Sequence, residues 1–157
     1  MVSFRRKKSG FNPATPQCMK LERDEYSITD DVSRLDIDAI HTLLRSTYWA
    51  ASRTRHQIEA SISRSICIGL FHKEQQVGFA RAVADQTTFT WLCDVVVHPD
   101  HRGKGLGRWM LETLLKLPSV VPTRIILVTR DAQAFYSQYG FKPHPFQCMI
   151  RRPDETP

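Results

Sequence analysis

The sequence lacks the features that indicate a membrane, secreted or metal-binding protein. Its 157 residues contain no apolar stretch approaching the roughly 18–20 residues of a transmembrane helix. The basic residues near the N-terminus have no apolar segment behind them, so we expect no secretory signal. The four cysteines form no CxxC pair, and Cys67 and Cys93 lie in apolar runs, which predicts buried thiols in a reducing cytoplasm. His98 and His101 have no further ligand nearby in the sequence, so we expect no metal.

Positive charge is concentrated at one end of the chain. The formal net charge is +6, but residues 1–20 hold five basic and no acidic side chains, whereas residues 21–157 hold 17 basic and 16 acidic ones. This near balance argues against a nucleic-acid-binding domain, although a nucleic-acid-binding role of the basic segment is kept as an alternative. At ~100–200 residues per domain, the length predicts a disordered tail over 1–20 and one domain over 21–157.

Hydrophobic periodicity predicts an α+β domain. Helices are expected to about Thr47 with Asp36 as the cap, from Thr54 to about Ser63, at 105–117, and at 132–139 with Asp131 as the cap. Short apolar or alternating runs predict strands at 25–29, 67–71, 77–84, 89–97 and 124–128, with a last pair at Phe141 and 146–150. The first strands follow one another as in antiparallel pairing. The segment from 89 to 128 is a strand–helix–strand unit, which requires parallel pairing and so predicts a mixed sheet.

The strand at 89–97 is predicted to be central and covered on both sides. Alternation places Trp91, Cys93, Val95 and Val97 on one face and Leu92, Asp94 and Val96 on the other. Both faces are apolar apart from Asp94, which is the only carboxylate within a central strand. Burying that charge costs several kcal/mol unless a cation pairs with it.

A glycine-rich turn follows this strand and opens the helix at 105–117. Residues 97–108 read V-H-P-D-H-R-G-K-G-L-G-R. Such a turn directs backbone N–H groups at one point, and the helix dipole adds positive potential there. Three glycines let an anion approach the backbone, and three cations add charge: Gly103, Gly105, Gly107, Arg102, Lys104 and Arg108. The turn therefore predicts a pyrophosphate site, but it matches neither the Walker A motif nor the spacing of the dinucleotide fingerprint.

Two blocks of the sequence resemble the GNAT (GCN5-related N-acetyltransferase) superfamily. Residues 102–107, R-G-K-G-L-G, match every fixed position of that family's coenzyme A loop, R/Q-x-x-G-x-G/A. Residues 132–141, A-Q-A-F-Y-S-Q-Y-G-F, are similar to its A-x-x-F-Y-x-x-x-G-F block. The blocks have the expected order and separation, and the resemblance covers roughly residues 25–150.

The resemblance implies a mixed, mostly antiparallel twisted sheet of about six or seven strands with helices on both faces. It implies direct transfer of an acetyl group from acetyl-CoA to a primary amine in a ternary complex, without a metal. Thr129 stands where many members have asparagine. The residues that the resemblance assigns to coenzyme A are Val95, Val96, Val97, Arg102, Gly103, Lys104, Gly105, Leu106, Gly107, Arg108, Thr129 and Tyr136.

The resemblance also suggests roles in catalysis. Tyr136 matches the acid that protonates the leaving thiolate, and a backbone N–H of Val95 or Val96 is the expected oxyanion donor. We expect a cationic amine to pair with Asp94, which then anchors the amine or removes its proton through water. Tyr48, Trp49 and Arg53 follow the first helix, where the family places acceptor-binding residues.

The acceptor itself is left open by the sequence. Polyamines, aminoglycosides, amino acids and protein termini all remain candidates, and so does a homodimer. The alternative function is a non-catalytic acyl-CoA-binding module on the same fold.

Overall fold

The structure, a computed structural model, describes residues 18–145 and 148–151. These residues fall into two compact units, one ending at Leu127 and the other beginning at Val128. The first unit contains a six-stranded sheet in the order β1-β2-β3-β4-β5-β6. Its strands are β1 (Lys20–Arg23), β2 (Tyr26–Thr29), β3 (Ile66–His72), β4 (Gln75–Ala84), β5 (Phe89–Val97) and β6 (Arg124–Ile126).

Neighbouring strands are antiparallel from β1 to β5, and β5 and β6 are parallel. The helix α3 (Leu106–Leu115) connects the parallel pair. This confirms the strand–helix–strand unit and the mixed, mostly antiparallel sheet. A parallel pair cannot be joined by a tight turn, so the crossover helix follows from the pairing.

Strand β1 was not predicted. Its sequence, Lys-Leu-Glu-Arg, is exposed along its whole length, so it carries no alternation of apolar and polar residues. The chain is held just before this strand, because the backbone N–H of Met19 donates to Asp30 and the Met19 carbonyl accepts from Thr29. The tail boundary expected after residue 20 therefore falls inside β1.

Helices α1 (Ile37–Arg45) and α2 (Arg55–Ile62) begin where the sequence predicts them. The carboxylate of Asp36 accepts from two backbone N–H groups of the first turn of α1. Thr54 and Gln57 form a reciprocal capping box at the start of α2. These caps satisfy backbone donors that would otherwise lack partners.

Helices cover both faces of the sheet. On one face, α1 and α2 bury Ile40, Leu44 and Ile58 in a cluster with Phe79 of β4 and Val96 of β5. On the other face, α3 packs against β3, β4 and β5 and buries its own apolar stripe of Leu106, Met110, Leu111 and Leu114. The sheet is therefore the middle layer of three.

The second unit, from Val128 onward, contains the short helix α4 (Gln133–Ser137). Ala132 occupies the cap position and makes no side-chain cap bond, so the prediction of Asp131 as the cap is wrong. Phe141 and residues 148–150 are not in strands, so the predicted last strand pair is wrong there, while 146 and 147 lie outside the described residues. Within the described ranges, no helix is long and apolar enough to cross a membrane.

Candidate active site

Strand β5 contains a bulge at Asp94. Cys93 lies opposite Arg81 and Val96 lies opposite Phe79, so three steps along β5 match two steps along β4. Asp94 has a φ of +55°, in the left-handed region that is uncommon for residues other than glycine. The extra residue is a β-bulge, a feature that bends a strand and redirects a side chain.

The bulge changes which residues share a face of β5. Directly opposed residues point to the same side of a sheet, and Arg81 and Phe79 are two apart, so Cys93 and Val96 lie on one face. The uninterrupted alternation predicted for 89–97 is therefore wrong beyond Cys93. This face is the one covered by α1 and α2, because Val96 belongs to their apolar cluster.

Asp94 lies between two arginines. Its Oδ2 accepts from Nη1 of Arg53 and from Nε of Arg81, both at 2.7 Å. The Asp94 side chain is 1% exposed, against 12% for Arg81 and 25% for Arg53. Its Oδ1 is buried and accepts no hydrogen bond from the residues that the structure describes. Arg53 and Arg81 thus supply the positive charge that the buried Asp94 carboxylate requires. The cluster of these three side chains has a net charge of +1.

A cavity of about 420 Å³ adjoins this cluster. It is lined by both arginines together with Trp49, Ala50, Ser52, Gln57 and Ser61. No acidic side chain lies among these residues. A second cavity, of about 500 Å³, contains none of the predicted site residues.

The predicted acceptor residues lie at or beside this cavity. Trp49 and Arg53 line it, and Tyr48 packs edge-on against Trp49 with the ring centroids 4.9 Å apart. Tyr48 and Trp49 are 46% and 43% exposed. Both residues therefore lie partly outside the apolar core.

One edge of β5 is open along most of its length. Strand β6 pairs only with Phe89, Thr90 and Trp91. From Leu92 to Val97 that edge has no strand partner within the described part of the chain. An open strand edge carries unpaired backbone N–H and C=O groups, and an extended ligand with amide groups can pair with them.

This open edge leads into the glycine-rich turn. Gly103 and Gly105 have φ values of +76° and +72°, and a Cβ built on either would meet nothing within 4 Å. The space above both glycines is thus free, and the backbone itself forms its floor. Leu106, the first residue of α3, is buried, so only its backbone can face a ligand.

Contacts from the first hairpin hold the turn in place. The hydroxyl of Tyr26 hydrogen-bonds His101 Nδ1 at 2.9 Å and accepts from Lys104 Nζ at 3.1 Å. Arg23 donates to the carbonyl of Lys104. Within the turn, Arg102 Nε donates to the carbonyl of Val97. Two cations of the turn, Arg102 and Lys104, therefore make contacts that stabilise the turn itself.

Histidine protonation is disfavoured at this position. Desolvation lowers the pKa of His101, and the positive charge of Lys104 adds to the effect. Neutral His101 keeps a nitrogen free to accept from Tyr26.

The two buried or half-buried thiols of the sheet are also kept neutral, since burial raises the pKa of Cys67 to about 12 and of Cys93 to about 11.

Tyr136 and Thr129 belong to the second unit. Tyr136 lies in α4, half-buried, with its ring against Phe135 and Phe141. The hydroxyl of Thr129 accepts from the backbone N–H of Ala132 at 3.0 Å, which fixes the turn before α4. Their roles toward coenzyme A and the leaving group stay predictions.

Comparison with known proteins identifies the family. A family model described as an acetyltransferase (GNAT) domain matches residues 63–143, about half of the chain. The chain belongs to the GNAT acetyltransferase family. A crystal structure of a GNAT family protein from Xanthomonas campestris pv. campestris is 36% identical, with a TM-score of 0.77, over 81% of this chain and 92% of that one.

Two further proteins extend the comparison. A candidate acetyltransferase of Gibberella zeae is 30% identical over 138 residues, which covers 74% of this chain and 78% of the relative. The PaiA N-acetyltransferase of Thermoplasma acidophilum, crystallised in complex with coenzyme A, has the same fold, with 16% identity and a TM-score of 0.56 over 73% of this chain and 86% of that one.

Two groups of residues in this GNAT protein are not predicted by the sequence. Arg81 lies in the apolar part of β4, where an arginine signals a buried partner, but its partner Asp94 is 13 residues away. Tyr26 and Arg23 reach the glycine-rich turn from about 80 residues away, which no local pattern reveals. In the described ranges, no group of three or more His, Cys, Asp or Glu side chains could hold a metal ion.

Proposed function

We propose that this protein is an acetyl-CoA-dependent N-acetyltransferase that transfers the acetyl group directly to a primary amine in a ternary complex. One observation carries the proposal: the open edge of β5, from Leu92 to Val97, runs into a turn with two left-handed glycines. Coenzyme A combines an amide-containing arm with a pyrophosphate. The edge offers backbone partners to the arm, and the turn offers N–H groups and a helix N-terminus to the pyrophosphate.

The residues present fit coenzyme A. The free space above Gly103 and Gly105 is where the pyrophosphate would be held, by backbone N–H groups between Arg102 and Arg108. Backbone groups of Val95, Val96 and Val97 would pair with the pantetheine arm. Bound acetyl-CoA supplies an activated acetyl thioester.

The protein's own groups would serve the transfer in three ways. A backbone N–H of Val95 or Val96 would stabilise negative charge on the acetyl oxygen. The Tyr136 hydroxyl would donate a proton to the departing sulfur. Asp94 would anchor the amine. We favour anchoring over proton removal because two guanidinium groups already compensate the charge of Asp94.

Binding and turnover on one preparation test this proposal. Acetyl-CoA should raise the melting temperature, because a ligand that binds the native state stabilises it by RT ln(1 + [L]/Kd). A panel of primary amines should then release free thiol from acetyl-CoA. A thermal shift with no thiol release from any amine would favour the non-catalytic acyl-CoA-binding module instead.

Tyr136→Phe tests the proposed acid. The substitution keeps the ring contacts with Phe135 and Phe141 and removes only the hydroxyl. We expect kcat to fall by roughly 10²–10⁴-fold while acetyl-CoA affinity stays within a few-fold of the wild type. Tyr139→Phe removes a hydroxyl from the same segment and serves as the control. Wild-type turnover in Tyr136→Phe would assign the tyrosine to packing.

A further inference from the structure

We propose that the acceptor amine carries an anionic group, a carboxylate or a phosphate, that binds in the cavity of about 420 Å³ beside Arg53 and Arg81. This inference rests on the proposed function, since it names the class of amine that the enzyme acetylates. It narrows the acceptors that the sequence leaves open, because it favours amino acids and amino-group-bearing phosphates over polyamines and aminoglycosides.

The charge of the cavity is the first argument. Two guanidinium groups line it, one carboxylate neutralises one of them, and no acidic side chain belongs to the lining. The cavity also adjoins the capped N-terminus of α2, whose dipole adds positive potential. A polycation would have to enter against this field, whereas an anion is attracted by it.

Unused hydrogen-bond donors are the second argument. A guanidinium has five N–H donors. Toward described residues, Arg53 uses one of them, on Asp94, and Arg81 uses two, on Asp94 and on the hydroxyl of Ser65. Planar guanidinium groups with unused N–H donors match carboxylate and phosphate oxygens in geometry as well as in charge.

The buried carboxylate supplies the third argument. Asp94 is 1% exposed and does not line the cavity, so an acceptor there meets the guanidinium groups of Arg53 and Arg81 and not the carboxylate. An anionic group would accept from the arginines on the cavity side, while Asp94 accepts from them on the buried side.

The size of the cavity agrees with a small acceptor. Pockets for small molecules typically have volumes of ~300–1,000 Å³, and this cavity lies in that range. Trp49 and the edge-on Tyr48 provide an exposed aromatic surface beside the charged wall. The remainder of a small acceptor can pack there.

Matched acceptors test the inference. Each amino acid is assayed beside its amide and its decarboxylated amine, and glucosamine 6-phosphate is assayed beside glucosamine. We expect kcat/KM to be at least about tenfold higher for the anionic member of the preferred pair. The pairs distinguish a carboxylate from a phosphate. Equal or faster acetylation of the neutral and cationic members would overturn the inference.

The variant Gln57→Glu tests the cavity without removing a structural contact. Glutamate also serves at this position of a capping box, so the helix start is preserved. The new negative charge should reduce the preference for the anionic acceptor by about tenfold, mainly through KM. Gln75→Glu adds the same charge at an exposed position of β4, outside the cavity, and should leave the preference unchanged. Equal preferences in wild type and Gln57→Glu would contradict this site.

A binding measurement separates this inference from the proposed function. If no amine is acetylated, the enzymatic proposal fails, and calorimetry of the same pairs with the coenzyme A-loaded protein decides the inference. Tighter binding of the anionic members, weakened by Gln57→Glu, supports it. Equal binding of both members overturns it.

Discussion

At the scale of single residues, Asp94 is unusual both in its backbone conformation and in the charges around it. Its positive φ is tolerated because the bulge and two arginines hold the residue in place. Strained conformations of this kind cost about 1–3 kcal/mol and persist where the surroundings over-determine them. Arg53 and Arg81 meet on one carboxylate oxygen, so the cluster depends on Asp94 more than on either arginine.

The substitution Asp94→Asn should therefore affect stability as well as catalysis. Removing one member of a buried ion pair costs about 3–5 kcal/mol, and we expect about 3 kcal/mol here because Arg53 reaches solvent. Chemical denaturation measures this loss. If Asp94 also anchors the amine, kcat/KM falls while acetyl-CoA affinity is retained.

An exposed ion pair provides the control for that measurement. Asp38 and Arg55 pair at 2.8 Å with the Asp38 side chain 78% exposed, so Asp38→Asn should change stability little. Equal losses in the two variants would mean that Asp94 is no more important than a surface carboxylate. An unstable Asp94→Asn with normal kinetics would leave Asp94 a structural role only.

The sequence predicts Asp94 and Arg53 as site residues but does not predict the contact between them. Their side chains lie 41 positions apart, and the bulge that turns Asp94 toward α1 and α2 arises from the register between β4 and β5. No local pattern encodes that register, because it depends on the pairing of two strands. Arg81 was missed for the same reason.

At the scale of elements, the glycine-rich turn joins the open edge of β5 to α3. Its residues are recognisable in the sequence because left-handed conformations at 103 and 105 favour glycine. Strand β1 is not predictable because it is exposed, and the prediction of a strand at 148–150 is wrong because apolar composition alone does not provide a pairing partner. Elements with a buried stripe or a cap, such as α1, α2 and α3, were predictable.

A matched pair of variants at Gly105 tests the function of the turn. Asparagine and aspartate have the same size, and both tolerate left-handed backbone better than other residues. Gly105→Asp places a negative charge at the proposed pyrophosphate site, whereas Gly105→Asn adds only the side chain. Calorimetry should show at least about tenfold weaker coenzyme A binding for Gly105→Asp than for Gly105→Asn. Equal coenzyme A affinities of the two variants would mean that the pyrophosphate does not bind at this turn.

At the scale of the whole molecule, the distribution of charge and the contacts in the structure suggest different boundaries between the tail and the folded domain. The excess of basic residues lies in 1–20, but the contacts of Met19 and β1 attach residues 19–23 to the sheet. Arg23 further contacts the glycine-rich turn through the Lys104 carbonyl. The boundary suggested by the contacts therefore precedes Met19, two residues earlier than composition suggests.

Two truncations test that boundary. Removing residues 1–17 deletes four basic side chains from the segment that composition predicts to be a disordered tail, so the melting temperature, coenzyme A affinity and kcat/KM should stay at wild-type values. Removing residues 1–23 also deletes β1 and the Arg23 contact, which should lower the melting temperature and weaken coenzyme A binding.

If the basic segment binds nucleic acid, the shorter truncation should reduce the slope of log K against log salt by about 3–4, near 0.9 for each lost phosphate contact. An unchanged slope would place that binding on the sheet domain, and lost coenzyme A affinity would make residues 1–17 part of the cofactor site.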